Sequence, residues 1–490
     1  MLSRPEPIII QGGMGVAVSG WPLAQAVAQT GQMGVVSGTA LDVVLARRLQ
    51  LGDPGGHLRR AIDEFPLPAI AKRVLETYFI EGGKRPEEPF RPIPMPSLTP
   101  TFEHESLVVL GNFVEVFLAR EGHHGPVGVN YLEKIQPPTL PSLFGAMLAG
   151  VDYVLMGAGI PRAIPGILDR LAEGLPVELP VTVEGAGPGD QYRVRFDPVK
   201  FCNGRILPRE RPKFLAIVSS HTLATMLARK ATGHVDGFIV EGPTAGGHNA
   251  PPRGTLRLNE QGEPIYGSRD AANLEAIAAL GRPFWLAGSH GSPDRVAEAL
   301  TLGATGVQVG TAFAYCNESG LPESIRRQVI KLSRAGRLDV KTDPVASPTG
   351  FPFKVVELPG SNSETDAYDQ RDRVCDLGYL RTAYKKEDGS IGWRCGAEPV
   401  EAFLRKGGKP EETCGRKCVC NALMANIGLG QVRQAIEKPL ITSGDDVKEI
   451  CQLMPSSNAA GYAAEELVAY LLSALPEKIP GGVFLVNSGD

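Results

Sequence analysis

The 490-residue sequence has little of what would direct a protein to nucleic acid, to a membrane or to a disulfide-rich scaffold. Basic residues (50) are slightly outnumbered by acidic ones (54), so no strong positive field attracts a polyanion. No apolar run approaches the ~20 residues of a membrane span. The run Ile8–Ile10 is too short for the core of a signal sequence. We therefore expect a soluble, cytoplasmic protein that binds neither nucleic acid nor membrane.

Cysteine is also scarce, with 8 in the whole chain, which excludes a scaffold held together by disulfides. Hydrophobic residues make up 43% of the sequence, enough for a large core. Glycine (58) and proline (41) are abundant and indicate many tight loops. The length suits a barrel of roughly 250 residues with additional parts.

Short apolar runs recur along the chain, and most are followed by a helical pattern. They are continuously apolar rather than alternating, which is typical of parallel strands buried on both faces. Their number favours a TIM (β/α)8 barrel of the α/β class over its rival, a doubly wound open sheet. The eight runs are Pro7–Gly13, Met33–Gly38, Pro126–Asn130, Asp152–Gly159, Lys213–Ser220, Asp236–Gly242, Pro283–Ser289 and Gly306–Ala312.

Two segments interrupt this pattern. Arg47–His124 is Pro-rich and charged, and we predict excursions between the second and third strands. Glu184–Arg211 contains the alternating stretch DQYRVRFDP, which predicts an edge hairpin. After about Gly360 the strand–helix alternation stops. We therefore predict a barrel over residues 1–360 and a mainly helical, Cys-containing C-terminal extension over residues 361–490.

The loops after the seventh and eighth strands are rich in glycine and small residues. They read AGSHGSPDRV and GTAFAYCNES. In barrels of this kind these two loops commonly bind phosphate, because free backbone N–H groups and a helix N-terminus favour an anion. His290 lies inside the first of these loops. It either contacts the ligand, or the geometry of the loop backbone alone accounts for it.

The loop after the sixth strand begins VEGPTAGGHN. Gly246 and Gly247 lack a Cβ and allow the backbone to approach a flat ring closely. His248 would then project into the site, where a neutral imidazole suits proton abstraction near neutral pH. The alternative is a histidine that caps a turn.

Five segments resemble the nitronate monooxygenases, formerly 2-nitropropane dioxygenases, and the related FMN-dependent enoyl-acyl-carrier-protein reductases. They are PIIIQGGMG, GVNYLEK, AGGHN, LAGSHG and LGATGVQVGTAF, in family order over roughly residues 7–358. The resemblance implies a TIM barrel that holds FMN, with His248 as the catalytic histidine. It implies cofactor-binding roles for Gly12, Gly13, Met14, Asn130, Gly246, Gly247, Gly288, Ser289, Gly291, Gly310 and Thr311.

The implied activity is oxidation of nitronates or similar acidic carbon compounds with O2, with His248 as base. The alternative is an FMN- and NAD(P)H-dependent enoyl reductase of fatty acid or polyketide synthesis, whose longer members also resemble PKFLAIVSS. A third alternative is a non-catalytic flavin- or phosphosugar-binding barrel. The sequence departs from the monooxygenase pattern at Thr244, where an acidic residue is common, and in its long tail. A homodimer would be typical of such barrels.

The tail contains the cluster CGRKCVC, with Cys414, Cys418 and Cys420, and Cys395 lies upstream. Four thiolates suit zinc or an iron–sulfur cluster. The usual C-x2-C pairs are missing, so we predict no metal and keep these cysteines as the candidates.

Overall fold

A computed structural model describes residues 5–207, 209–454 and 461–476. Eight parallel strands form one sheet, and each of them is followed in the chain by a helix. The strands of the described ranges, inside and outside this sheet, are β1 (Ile9–Gln11), β2 (Gly34–Ser37), β3 (Val127–Leu132), β4 (Tyr153–Gly157), β5 (Val177–Pro180), β6 (Val183–Glu184), β7 (Arg193–Phe196), β8 (Lys213–Val218), β9 (Gly237–Glu241), β10 (Phe284–Ala287), β11 (Gly306–Val309), β12 (Asp339–Asp343), β13 (Phe353–Glu357), β14 (Thr382–Lys385) and β15 (Ile391–Arg394).

The eight-stranded sheet closes on itself. Its strand order is β1-β11-β10-β9-β8-β4-β3-β2. The two end strands meet through a parallel bridge between Ile10 and Met33. The Gln11 N–H donates to Met33 O at 2.9 Å, and the Met33 N–H donates to Ile9 O at 3.0 Å. The predicted (β/α)8 barrel is therefore confirmed. Seven of the eight apolar runs contain one of its strands, and the run Pro126–Asn130 contains the first part of β3.

The barrel interior is a packed apolar core. Alternate residues of the strands point inward, as the period of two requires. Trp285 and Leu155 are fully buried there, beside Ile239. The indole N–H of Trp285 donates to Pro7 O at 2.8 Å, so its one polar atom is satisfied. This filled centre leaves the rim at the carboxyl ends of the strands as the place for a ligand.

None of the helices in the described ranges is both long and apolar enough to cross a membrane. They are α1 (Trp21–Gln29), α2 (Leu41–Gln50), α3 (His57–Asp63), α4 (Pro68–Tyr78), α5 (Phe102–Arg120), α6 (Thr139–Leu148), α7 (Ile164–Ala172), α8 (Pro198–Phe201), α9 (His221–Lys230), α10 (Leu274–Ala278), α11 (Pro293–Thr301), α12 (Thr311–Ala314), α13 (Glu323–Arg334), α14 (Thr365–Asp369), α15 (Val400–Arg405), α16 (Val419–Ala425) and α17 (Ala464–Leu472), with 3-10 helices at Ser268–Asp270, Pro410–Thr413 and Asp445–Leu453.

The long excursion between β2 and β3 is more regular than its composition suggested. It contains α3, α4 and the 19-residue helix α5, which begins after Thr101 and is buried over most of its length. The Thr101 hydroxyl accepts the His104 N–H at 3.2 Å and caps this helix. The prolines that made the helices of this segment hard to predict are concentrated just before α5, in the stretch FRPIPMPSLTP.

Antiparallel pairs stand outside the barrel. β7, in the stretch DQYRVRFDP, pairs antiparallel with β5. The hairpin expected within Glu184–Arg211 is therefore wrong, because β5 (Val177–Pro180) lies wholly before that segment. β12 pairs with β13, and β14 pairs with β15. The C-terminal extension thus contains strands as well as helices. Its boundary near residue 360 stays a prediction, and residues 455–460 and 477–490 lie outside the described part.

The last described helix takes a place in the ring of the barrel. α17 packs against α1 and α11, the helices that follow the first and the seventh barrel strands. The helix that directly succeeds the eighth strand, α12, has only four residues. The pattern SIRRQVIKL after it forms α13, which packs against the 3-10 helix Asp445–Leu453. Residues of the extension therefore complete the outer layer of the barrel.

Candidate functional site

One cavity opens at the carboxyl ends of the barrel strands. Its volume is about 210 Å³. All but one of the site residues expected from the sequence line it, although they come from segments about 300 residues apart. The exception is Gly291, which lies just outside. The lining residues among those expected are Gly12, Gly13, Met14, Asn130, Gly246, Gly247, His248, Gly288, Ser289, Gly310 and Thr311.

The histidine loop is held by main-chain hydrogen bonds to the start of β13. His248 forms an isolated antiparallel bridge with Phe353. The Lys354 N–H donates to Gly247 O and the Asn249 N–H donates to Pro352 O, both at 2.9 Å. Gly247 has φ +81°, a left-handed conformation that favours glycine. The position of His248 on the rim is therefore set by residues about a hundred positions later.

The imidazole of His248 is half-buried and has two close neighbours. Its Nε2 lies 2.7 Å from the Ser347 hydroxyl, and its ring centroid lies 4.8 Å from that of Phe353. Burial lowers the pKa of His248 to about 4, because the surroundings disfavour the charged form. At neutral pH the side chain is thus a neutral imidazole with a fixed ring.

Glu241 was not expected from the sequence, yet it lines the same cavity. It is the last residue of β9 and faces inward, two positions after the core residue Ile239. Burial raises the pKa of Glu241 to about 8, so this carboxyl is largely protonated at neutral pH. The cavity therefore presents a neutral acid and a neutral base.

Buried polar atoms without hydrogen-bond partners also face this region. They include Asn130 Oδ1, Gln308 Oε1 and His290 Nδ1. All three residues line the cavity. An unpaired buried polar atom costs about 1–3 kcal/mol, so such atoms gathered at one cavity indicate a polar ligand.

The loops after β10 and β11 form the other end of the cavity. Ser289 has φ +55°, unusual for a residue with a Cβ. α11 begins beyond this loop, and its N-cap residue Ser292 makes no side-chain capping bond. The first N–H groups of this nine-residue helix therefore remain for another acceptor, as a phosphate-binding end requires.

Asp446 stands at this same end. It lines the cavity, and its Oδ1 is buried without a partner. A Cβ added to Gly291 would lie 3.3 Å from Asp446 Oδ2. Burial raises the pKa of Asp446, which favours the uncharged acid.

A segment of the extension crosses the mouth of the cavity, and we call Ile441–Asp446 the capping segment. Its hydrogen bonds reach the loops after β9 and β11. The Gly247 N–H donates to Thr442 Oγ1 at 2.8 Å, and the Gly444 N–H donates to Thr311 Oγ1 at 2.9 Å. The Asp445 N–H donates to Thr244 O at 3.0 Å. Thr244, which departs from the monooxygenase pattern, thus anchors this segment through its carbonyl.

Contact with the capping segment explains why residue 246 is a glycine. A Cβ on Gly246 would lie 2.7 Å from the carbonyl carbon of Ser443 and 2.8 Å from the nitrogen of Gly444. The sequence interpretation attributed this glycine to close approach of a ligand. In the structure its Cα approaches another part of the protein backbone.

Five cysteines of the extension lie in three environments. Cys420 lines the main cavity, whereas Cys375, Cys395 and Cys418 pack together around a second, small cavity that Cys420 also borders. Cys414 is exposed. Across the described ranges, no group of three or more His, Cys, Asp or Glu side chains has the arrangement of a metal site.

Ser347 and the capping segment could not be found from sequence patterns, because neither belongs to a periodic element or a known spacing. Glu241 did carry a signal. A charged residue at the inward end of an apolar strand run, on the catalytic rim of a barrel, is an unusual choice.

The comparisons with known proteins bear on this site. Residues 206–348 match the family model of nitronate monooxygenase. The resemblance to nitronate monooxygenases is confirmed. The matched region begins seven residues before β8, ends at Pro348, and includes the His248 loop, both glycine-rich loops and Ser347.

Two curated relatives share part of the chain. A probable nitronate monooxygenase of Bacillus subtilis (strain 168) is 36% identical over 101 residues, 21% of this chain and 27% of that protein. The (3aS,4S,5R,7aS)-5-hydroxy-7a-methyl-1-oxo-octahydro-1H-indene-4-carboxyl-CoA dehydrogenase of Mycobacterium tuberculosis is 26% identical over 208 residues, 39% of this chain and 55% of that protein. The chain thus spans about half or less of the length of these curated relatives.

Two solved structures align over most of the chain at low similarity. FabK from Thermotoga maritima covers 96% of this chain and 93% of its own, with 16% identity and a TM-score of 0.46. The nitroalkane oxidase from Streptomyces ansochromogenes covers 96% and 95%, with 15% identity and a TM-score of 0.46.

Proposed function

We propose that the protein is an FMN-dependent oxidoreductase of the nitronate monooxygenase type, acting on nitronates or similar acidic carbon compounds with O2. The observation that carries the proposal is the neutral imidazole of His248 on the rim of the barrel, in one cavity with the glycine-rich ends of β1, β10 and β11. The match of residues 206–348 to the nitronate monooxygenase model supports it.

The residues present fit a flavin mononucleotide. The uncapped start of α11 and the loops around Gly288 and Gly310 would hold the phosphate. The unpartnered oxygens of Asn130 and Gln308 would accept hydrogen bonds from the ring. When bound, the isoalloxazine supplies the redox chemistry, and the protein binds, orients and polarises.

The proton chemistry falls to His248. Its neutral ring can accept a proton from an acidic carbon, and Ser347 fixes the direction in which the ring nitrogens point. Burial disfavours the imidazolium that results. An anionic product beside the ring would stabilise that charge, so proton transfer is favoured once a substrate occupies the cavity.

A second candidate is an enoyl reductase that takes NAD(P)H and an enoyl thioester. The relative from M. tuberculosis, whose name specifies a carboxyl-CoA substrate, supports it through 26% identity over 208 residues. The extension also supports it, because Val419, Leu423 and Met424 give the cavity an apolar wall that suits an acyl chain. In this case His248 would anchor the thioester or donate a proton.

Anaerobic reduction separates the two candidates. The purified full-length chain is first examined for flavin absorbance, then mixed with a nitronate or with NAD(P)H without O2. Bleaching by the nitronate supports the first candidate, and bleaching by NAD(P)H followed by reoxidation with an enoyl thioester supports the second. A protein that stays colourless in excess FMN contradicts both.

The role of His248 is tested with His248→Ala. We expect a loss of about 10²-fold or more in kcat, the usual contribution of a general base. His124→Ala is the matched control, since His124 is exposed and lies before β3. Unchanged turnover in His248→Ala, with flavin bound, would instead favour the non-catalytic binding barrel.

A further inference from the structure

Glu241 occupies the inward-facing end of β9. In the sheet it is paired with Ala287 of β10, and Ile239, two residues before it, belongs to the innermost apolar cluster of the barrel. Because successive side chains alternate between faces, Glu241 points to the same side as Ile239. Its carboxyl therefore lies at the floor of the cavity.

Within the described ranges the carboxyl of Glu241 makes neither a hydrogen bond nor an ion pair, and burial is the one cause of its raised pKa. Its sheet partner Ala287 is apolar, and Ile217, which pairs with Ile239 two residues earlier, also lines the cavity. Asn130 and Gln308 each bring one unpartnered oxygen to the same cavity. A bound ligand would supply the hydrogen-bond partners that these groups lack.

The charged and titratable groups around Glu241 leave it neutral. Burial alone raises its pKa to about 8. On the cavity side stand His248, His290 and Asp446, each with a pKa shifted by burial toward the neutral form, together with Cys420 and Tyr379. On the other side a small cavity is bordered by Arg253, Tyr266 and Asp270, none of which forms an ion pair with Glu241 in the structure. A neutral carboxyl is a hydrogen-bond donor, which a carboxylate is not.

We propose that Glu241 contacts the bound ligand as a neutral carboxylic acid, donating its O–H to an acceptor oxygen or nitrogen and complementing the acceptor nitrogen of His248. The acceptor belongs either to the flavin ring or to the substrate. The inference rests on the proposed function for the identity of the ligand, but the state of the carboxyl can be tested without it.

The first experiment measures stability against pH in the full-length chain. A carboxyl whose folded pKa is raised contributes stability that is present below its unfolded pKa, about 4.3, and is lost as pH rises to about 8. Glu241→Gln does not titrate. We therefore expect the unfolding constant of the wild type, relative to Glu241→Gln, to rise by up to about tenfold per pH unit in this window.

The control for this arm is Glu357→Gln, the same chemical change on an exposed strand-end residue. We expect the Glu357→Gln variant to follow the wild type at every pH. Parallel stability curves for the wild type and Glu241→Gln between pH 5 and 8 would overturn the inference.

The second experiment compares Glu241→Gln, which keeps an N–H donor, with Glu241→Leu, which does not. FMN affinity is measured by fluorescence quenching on FMN-stripped protein, and kcat and KM are measured on the reconstituted enzyme. We expect Glu241→Leu to lose on the order of 10- to 100-fold in one of these and Glu241→Gln to retain most of it.

The affected quantity identifies the acceptor. A change in FMN affinity assigns it to the flavin ring, and a change in kcat/KM with FMN affinity intact assigns it to the substrate. Wild-type values for both in Glu241→Leu overturn the inference. A wild-type chain that binds no FMN removes the proposed function instead, and the pH arm then decides the inference by itself.

Discussion

The Nε2 of His248 lies 2.7 Å from the hydroxyl of Ser347, a residue 99 positions later in the chain. The Ser347 hydroxyl lies in turn 2.9 Å from that of Thr349. Two hydroxyls and a ring nitrogen thus form a short chain in which His248 has one fixed partner. The ring orientation on the rim depends on this contact.

Ser347→Ala should therefore lower kcat with little change in KM. Loss of one hydrogen bond to a half-buried ring is worth about 1–1.5 kcal/mol, or on the order of a tenfold decrease. Steady-state kinetics with kcat and KM reported separately provides the measurement. Ser347→Thr keeps the hydroxyl and should restore most of the rate. An unchanged kcat in the alanine variant would show that packing against Phe353 orients the ring without help.

Acid should destabilise the protein through His248. Its folded pKa, about 4, lies below the unfolded value of about 6.5, so its contribution to stability is present above pH 6.5 and is lost as pH falls toward 4. The shift corresponds to at most about 3 kcal/mol, and to less where water screens the ring. Urea unfolding at pH 7 and pH 4.5 should show a smaller acid loss for His248→Gln than for the wild type. The same loss in both variants would place the acid sensitivity elsewhere.

Gly246 and Gly247 should respond differently to substitution by alanine. A Cβ on Gly246 meets the backbone of Ser443 and Gly444, which cannot move as a flexible side chain could, and we expect a cost of about 1–3 kcal/mol. A Cβ on Gly247 enters open space, so its cost is the backbone strain of φ +81°, about 1–2 kcal/mol.

Hydrogen exchange separates these two effects. Gly246→Ala should accelerate exchange across the capping segment, whereas Gly247→Ala should leave its amides protected. Equal protection in the two variants would mean that the capping segment does not depend on its contact with Gly246.

Tyr315 and Ser443 should be energetically coupled. Their hydroxyls lie 2.7 Å apart, and both residues are buried. Tyr315→Phe should cost about 1–2 kcal/mol, because it leaves the Ser443 hydroxyl without this partner. Adding Ser443→Ala should cost less than it does in the wild-type background, which a double-mutant cycle in urea measures. Strict additivity would show that the two hydroxyls do not stabilise each other.

Local sequence patterns predicted most of the barrel strands. Runs such as DGFIVEG and PFWLAGS are short, apolar and followed by glycine or serine, and each became a strand whose loop reaches the rim. α5 was missed because FRPIPMPSLTP precedes it and obscures the start of a helix capped by Thr101. The antiparallel pair β14–β15 was missed within a segment expected to be mainly helical.

Part of the candidate site could be predicted from the sequence, again from local patterns. Residues next to strands, such as Asn130 and Gly310, follow from the rule that a barrel site is built at strand ends. Ser347, Thr442 and Asp446 reach the cavity through tertiary packing of irregular segments, which no periodicity encodes. Glu241 was not among the expected residues, although it is the charged residue at the end of the apolar run Asp236–Gly242.

The placement of α17 between α1 and α11 has a consequence for when the barrel can be completed during synthesis. A ribosome makes Ala464–Leu472 only after every barrel strand has been synthesised. Until then the wall between the first and seventh helices has a gap, and the mouth of the cavity has only just received its cap. A cofactor that needs the capping segment must accordingly be taken up after residues 441–446 have been synthesised, not by a chain that has only its barrel strands.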